Sequence, residues 1–305
     1  MSEPGLLNLP SPWVSAMMPA MHRASVVAGT AVATVVAVAV TACAAPAPET
    51  VPSVDPSKCT KESLGTLYSG ILTFGADQPV YPPWYMGDDP ANGEGFESAL
   101  AYAVAGKLSY APDDVRWVRV TFNAALTPGA KPFDANLSQF SITDQRRAAV
   151  DFSSPYFDVT QAVLTVRTSP AAAVHTLAGL GAVRLGAQVG TTSYTAASSV
   201  AGAGGMEVYN TNVDAKMALV EGRIDALVAD LPTAFAVANE LPDGVIVGQF
   251  PTVGDGVEQL GIVLDHGSPL TRCVSWAVDT LRDDGTLDRL KKRWLADAGR
   301  APVLS

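Results

Sequence analysis

An α/β protein built as two successive units, with strand ends facing a shared cleft, is the architecture this sequence predicts. A chain of 305 residues is longer than one core ordinarily fills, so about two domains are expected. Strand-like and helix-like stretches alternate along most of its length, the pattern of α/β folds. The alternation pauses at Pro170-Ala171-Ala172-Ala173 and then starts again. Open α/β sheets bind ligands at their strand ends, so two such units imply a cleft between them.

The elements follow in order. Ile71 to Gly75 reads as a strand, Gly95 to Leu108 as a helix and Val115 to Val120 as a strand. Asp134 to Phe140 is the next strand region, Asp144 to Ala149 a short helix and Ala162 to Arg167 a strand. In the second series Thr176 to Gly179 is helical, Val183 to Gln188 a strand, Ser193 to Ala201 a helix and Glu207 to Asn210 a strand. Asn212 to Glu221 is then a helix, Ala226 to Ala229 a strand, Leu231 to Asn239 a helix and Val245 to Val247 a strand. Leu260 to Leu264 is the last strand. Helices over Leu270 to Asp283 and Leu287 to Asp297 follow, separated by Asp284-Gly285-Thr286, where the glycine suits a helix C-terminus and the threonine a cap.

Charged residues are 16% and apolar ones 48%, and much of the apolar excess lies in one N-terminal run. The net charge of −10 argues against nucleic acid, which needs a basic face. Met21-His22-Arg23 precedes the uncharged run Ala24 to Val40, which reads as a secretory signal, with residues 1 to 20 preceding a second candidate start at Met21. The run is marginal for a bilayer core of about 30 Å, which disfavours an uncleaved anchor. Its end, Val40-Thr41-Ala42-Cys43, resembles the lipobox of bacterial lipoproteins; the resemblance implies cleavage after residue 42 and a diacylglycerol on Cys43. Residues 43–58, rich in Pro, Ala and Ser/Thr, are expected to be a flexible tether. With Cys43 given to lipid, Cys59 and Cys273 remain. A disulfide between them is expected in an oxidising compartment, two unpaired thiols being the alternative.

The segment from Asp134 to Tyr156 reads as an anion-binding corner. Thr143-Asp144-Gln145 is a good helix start, with a hydroxyl cap and an acid in the first turn. Free backbone N–H groups there, the Ser141 and Thr143 hydroxyls and a guanidinium one turn in suit a carboxylate or phosphate. Taken alone, the same residues make an ordinary capped helix with two solvated arginines.

Other motifs follow in order: Gly75-Ala76-Asp77 with Tyr81-Pro82-Pro83-Trp84, Gly95-Phe96-Glu97, Phe122, Ser141-Ile142-Thr143 with Arg146, and Asp151-Phe152-Ser153-Ser154-Pro155-Tyr156. Then come Gly190-Thr191-Thr192, Gly222-Arg223-Ile224-Asp225-Ala226 with Asp230, and Asp284-Gly285-Thr286 with Trp294. In this order and spacing the chain, from about Gly65 to Leu295, resembles the family 3 extracellular solute-binding proteins, the polar amino acid receptors of ABC importers. The resemblance implies a two-lobed periplasmic-binding-protein-like fold of type 2, two α/β domains joined by two crossing strands. One lobe is then 59–165 plus 261–305 and the other 166–260.

The resemblance also implies roles. Arg146, preferred over Arg147, grips the ligand α-carboxylate, and Asp230 takes the α-ammonium; a zwitterion needs a fork of donors on one side and a carboxylate on the other. Thr191 and Thr192 close on the same carboxylate from the second lobe, although both also suit an ordinary helix cap. Tyr81, Trp84 and Phe122 flank the ligand side chain, with core packing the alternative for Trp84. Asp77 either touches the ligand or caps the Pro82-Pro83 turn. Glu97 stands where the family usually has aspartate and is given a supporting role, and Asp225 a structural one. Thr127-Pro128-Gly129-Ala130-Lys131-Pro132 departs from the family, and the helix usual after Phe122 should be broken there.

The expected protein is thus a monomeric, lipid-anchored, extracytoplasmic receptor that hands an amino acid to a membrane permease, without metal, cofactor or catalysis. Two other readings stand beside it. One is a sensory or scaffolding lipoprotein; the other is an enzyme like the cyclohexadienyl dehydratases, which resemble these receptors, with Glu97 or Asp77 as base.

Overall fold

The computed structural model describes residues 54–252, 256–296 and 300–305. The expected signal segment, Cys43 and the tether up to residue 53 lie outside the described residues. The last tether residues are already folded: Val54 packs on the first core, and Asp55 caps a 3-10 turn over Pro56–Lys58 by accepting from the Ser57 N–H. Cys59 follows this turn and is disulfide-bonded to Cys273.

The first lobe is a five-stranded sheet flanked by helices. Its strands are β1 (Leu72–Ala76), β2 (Val115–Arg119), β3 (Ala135–Asn136), β4 (Val150–Phe152) and, from far along the chain, Val263–Asp265; the order is β2-β1-β3-(Val263–Asp265)-β4. Every residue of β1 is buried, as expected of a parallel strand covered on both faces. Helix α1 (Phe96–Lys107) packs against the two C-terminal helices, Thr271–Asp283 and Thr286–Trp294. Its apolar residues Phe96, Leu100, Ala101 and Val104 enter the core with Trp84 and Leu281. Helix α2 (Phe122–Leu126) stops at Thr127, the residue before Pro128, whose ring disfavours a helical conformation there. The expected break is therefore present, after little more than one turn. Helix α3 (Asp144–Arg147) is capped by Thr143, whose hydroxyl accepts from the Arg146 N–H at 3.2 Å.

Strands β5 (Phe157–Val159) and β11 (Glu258–Leu260) pair antiparallel and carry the chain between the lobes. The second sheet has the order β10-β6-β9-β7-β8, from β6 (Gln161–Val166), β7 (Leu185–Gln188), β8 (Met206–Tyr209), β9 (Ala226–Asp230) and β10 (Gly244–Gln249). Helix α4 is Leu177–Leu180; α5 (Thr192–Val200), α6 (Asn212–Val220) and α7 (Leu231–Glu240) follow β7, β8 and β9, and apolar clusters line both faces of the sheet. The last sheet strand of the first lobe is β12 (Val263–Asp265), with α8 and α9 the two C-terminal helices.

Two expected boundaries move. The first lies at Thr160 and not at residue 165, because all of β6 pairs within the second sheet, Gln161 opposite Asp230. The C-terminal residues, expected with the first lobe, join the second: Val303 bridges to Gln249, Leu304 is buried in that core, and the Leu177 N–H donates to the Ser305 carbonyl at 2.9 Å. The chain thus passes between the lobes a third time, between Leu295 in the first core and Leu304 in the second. The strand expected over Leu260 to Leu264 is two strands, the end of β11 and the start of β12.

Candidate functional site

The carboxyl ends of β1, β7 and β9 converge on one cavity between the lobes. Asp77, just past β1, accepts at Oδ1 from the backbone N–H groups of Gln78 (2.7 Å) and Phe122 (3.1 Å). It therefore caps the start of α2 and not the Pro82-Pro83 turn. Burial raises its pKa, while these bonds and the Gln188 side chain pull the other way. Phe122 stacks on Phe140 at 4.9 Å between centroids.

The segment after β3 supplies the polar wall of the first lobe. The Ser138 hydroxyl accepts from the Asp77 N–H at 3.0 Å. Gln139 holds a left-handed backbone (φ 53), and its N–H and side-chain amide both reach the Glu97 carboxylate. Tyr156 donates its hydroxyl to the same group. Glu97 is buried behind this wall, and burial pushes its pKa up to about 7 against those bonds.

Opposite stands the second lobe. Thr191 caps α5, accepting from the Tyr194 N–H at 3.0 Å, and donates its hydroxyl to the Gln188 carbonyl. Asp230 ends β9 and caps α7, accepting from the Thr233 N–H at 3.0 Å and the Thr233 hydroxyl at 2.8 Å. Burial raises its pKa to about 6, and the negative charge of Glu258 pushes the same way.

At the centre lies a carboxylate that the motifs did not single out. Glu258 Oε1, from the first residue of β11, accepts from the Ser141 hydroxyl of the first lobe and from the Thr192 hydroxyl of the second at 2.6 Å. Gln161 Nε2 donates to both carboxylate oxygens, at 3.1 and 2.9 Å, and its own carbonyl accepts from the Ser193 hydroxyl at 2.6 Å.

The lobes meet through further bonds. Asn212 Nδ2 donates to the Tyr81 hydroxyl at 2.6 Å, and the Trp84 indole N–H donates to Thr233 Oγ1 at 2.8 Å. The Arg146 guanidinium donates to the Ser141 carbonyl at 2.7 Å and to the Gly190 carbonyl at 3.0 Å. Gly190 has φ +76, and a Cβ there would lie 2.1 Å from Asn123 Oδ1 of the first lobe. This is a closed cleft. Its cavity measures about 30 Å³, and by the same measure one water takes about 10–15 Å³. A molecule of amino acid size fits only if the lobes part or a lining side chain withdraws.

Of the residues singled out in the sequence, Asp77, Tyr81, Phe122, Ser141, Thr191, Thr192 and Asp230 line this cavity. Three do not. Trp84 is fully buried against Phe96 and Phe157, so the packing alternative holds for its ring. Thr143 spends its hydroxyl on the α3 cap. Arg146 stands one layer behind Ser141, over the face of Phe122 at 5.4 Å, and desolvation lowers its pKa to about 10. Arg147 points elsewhere, over Phe152 at 5.9 Å. Asp225 pairs with Arg184 at 2.8 Å.

Gln161, Gln188, Asn212 and Glu258 line the cavity without having been picked out. Gln188 had a usable signal, since it ends an expected strand, and Gln161 directly precedes another, the one expected over Ala162 to Arg167. Among the described residues no helix is long and apolar enough to cross a membrane, and no cluster of three or more His, Cys, Asp or Glu is placed to hold a metal ion.

Comparison with known proteins agrees with this geometry. The family model of bacterial extracellular solute-binding proteins, family 3, matches residues 72–297. The L-arginine-binding protein of Pseudomonas aeruginosa is 31% identical over 255 residues, covering 76% of this chain and 95% of that protein. Among solved structures, an ancestral arginine-binding protein bound to arginine superposes with a TM-score of 0.62 at 29% identity, covering 74% of this chain and 98% of that one. An ancestral amino acid-binding protein described as a precursor of cyclohexadienyl dehydratase gives 0.61 at 30% identity, covering 74% and 95%. With its two lobes, its cleft and a family match over most of its length, the chain belongs to the bacterial extracellular solute-binding proteins of family 3.

Proposed function

We propose that this protein is an extracytoplasmic receptor that closes its two lobes around an amino acid and delivers it to an ABC permease. The carrying observation is the pairing, across one cavity, of the Ser141 and Thr192 hydroxyls with the Asp230 carboxylate. Hydroxyl donors from opposite lobes take the α-carboxylate, with the positive charge of Arg146 directly behind them. Two of the five guanidinium N–H donors serve backbone carbonyls. On opening, the bond to Gly190 is released and that donor becomes free to turn toward the ligand. Asp230 takes the α-ammonium. Its carboxylate is already held by the first turn of α7, so it offers an oriented acceptor at small ordering cost.

The balance of charge supports a cationic or strongly polar side chain. Asp77 lines the cavity besides Asp230, and the guanidiniums beside them are Arg146 and Arg119, the latter already paired with Asp88 at 3.0 Å. A ligand carrying one more positive charge relieves that excess at the Asp77 end, where Gln188 and Tyr81 add hydrogen-bonding groups. Relatives named for arginine and histidine are consistent with this. Closure lets each lobe contribute half of the contacts, so binding energy shifts an open-to-closed equilibrium.

Export by the N-terminal signal, attachment through Cys43 and action as a monomer complete the reading; the lipobox-like Val40-Thr41-Ala42-Cys43 supports the anchor. The test is a thermal-shift screen of the twenty L-amino acids, since a ligand of the folded state raises its melting temperature by mass action. L-arginine, L-lysine or L-histidine should give the largest shift. A screen in which no amino acid acts refutes the reading.

A further inference from the structure

We propose that Glu258 is a built-in rival of the ligand: its side-chain carboxylate occupies the hydroxyl cradle that receives the amino acid's α-carboxylate, and it must leave for the ligand to seat. The inference rests on the amino acid reading above. Its ground is the donor set itself. Ser141 from the first lobe and Thr192 from the second both bond to Glu258 Oε1, and Gln161 holds both oxygens of the carboxylate. These hydroxyls are the same groups that the reading assigns to the α-carboxylate, and Arg146 lies behind them with its charge coupled to Glu258. Two carboxylates cannot share that cradle. Like charges so close repel strongly, and the hydroxyls have one proton each.

Glu258 is also placed to withdraw. It opens β11, the strand that pairs with β5 where the chain passes between the lobes, so a hinge movement there carries its Cα with it. The same side chain borders a second hollow of about 310 Å³, lined by Thr160, Thr195, Ser199 and Phe250. Rotation into that space takes the carboxylate out of the cradle toward other hydroxyls. With Glu258 inside, the cradle bonds one carboxylate to both lobes; with Glu258 outside, the ligand does so instead. The receptor then discriminates in favour of ligands whose carboxylate can win this exchange.

The experiment uses the whole protein, its Glu258→Ala variant and its Glu258→Gln variant, titrated calorimetrically with L-arginine and with agmatine, the same molecule without its carboxylate. L-lysine and cadaverine form a second pair. In Glu258→Ala the affinity for the amino acids should rise about tenfold while that for the amines stays within twofold, and Glu258→Gln should fall between. Unchanged or weakened amino acid binding in Glu258→Ala overturns the proposal, as does an equal gain for amino acid and amine. If no L-amino acid binds any of the three proteins, the receptor reading fails on its own account. Small-angle scattering of the ligand-free proteins then judges Glu258 separately. A larger radius of gyration for Glu258→Ala keeps its place as a bridge between the lobes, and an unchanged one overturns it.

Discussion

The Trp84 indole N–H of the first lobe donates to the Thr233 hydroxyl of the second at 2.8 Å, and that hydroxyl donates in turn to Asp230 at 2.8 Å. One buried chain of bonds therefore links the core of one lobe to the proposed ammonium site of the other. Replacing Trp84 by Phe keeps an aromatic ring beside Phe96 and Phe157 but removes the donor. Since a neutral hydrogen bond contributes about 1 kcal/mol net, affinity should fall about fivefold with the ranking of ligands unchanged. Calorimetric titration of Trp84→Phe with two ligands checks both parts.

Asp230 must be ionised to hold an ammonium group. Burial lifts its pKa to about 6, so ligand affinity should be flat above pH 7 and weaken as pH drops through 6, approaching tenfold per pH unit. Asp230→Asn should bind far more weakly at pH 7.5 and lose this pH dependence. Titrations between pH 5 and pH 8 show whether it does.

Glu97 makes a prediction about stability. Its pKa is about 7 in the folded protein against 4.5 for a free side chain, so within that window the folded state holds a proton that the unfolded chain releases. Stability is greatest below pH 4.5 as far as this group is concerned, and it declines by about 3 kcal/mol as pH rises to 7. The near-isosteric Glu97→Gln keeps an acceptor for Tyr156 and the Gln139 N–H. In urea unfolding at pH 5 and pH 8 it should show a smaller difference between the two than the wild type does.

The Cys59–Cys273 disulfide spans 214 residues of sequence and ties the turn at the start of the first lobe to α8. Closing so long a loop restricts the unfolded chain, and Cys59→Ser should lower unfolding free energy by about 3–5 kcal/mol. Its ligand affinity should not change, because neither cysteine touches the cavity. Denaturant melts and one titration of the variant test both.

Gly190 adopts φ +76 where the second lobe meets Asn123. Alanine there suffers both a strained backbone and a clash across the cleft, which opposes closure more than it opposes folding of either lobe. Gly190→Ala should lose at least tenfold in affinity while its melting temperature without ligand moves by only a few degrees. Equal affinity would mean that closure does not use this contact.

Much of this was legible in the sequence, for identifiable reasons. Long elements with a cap or a glycine stop, such as α1, α6 and α8, fell within a residue or two of their observed bounds. Strand ends that carry a charged or hydroxyl residue, Asp77, Thr191 and Asp230, pointed to the cleft. Strands β4 and β5 left no trace, because three-residue strands show no periodicity and exist only through partners about a hundred residues away along the chain. The same holds for the C-terminal tail, whose place beside β10 depends on a tertiary contact. Glu258 escaped notice since nothing in its local sequence distinguishes it from a solvated acid; only the meeting of Ser141, Thr192 and Gln161 gives it a role. Trp84 and Arg146 were sequence landmarks that the fold sets one layer behind the cavity wall.

The central claim is that one amino acid sits between the lobes with its two charged ends read by opposite sides of the cavity. A crystal structure with the amino acid that gives the largest thermal shift tests it most directly. The account predicts the α-ammonium within about 3 Å of an Asp230 oxygen and the α-carboxylate among Ser141, Thr192 and Arg146, with hydrogen-bond distances of the ordinary charge-assisted range. An amino acid bound with its ammonium away from Asp230, or its carboxylate outside the Ser141 and Thr192 cradle, would contradict it.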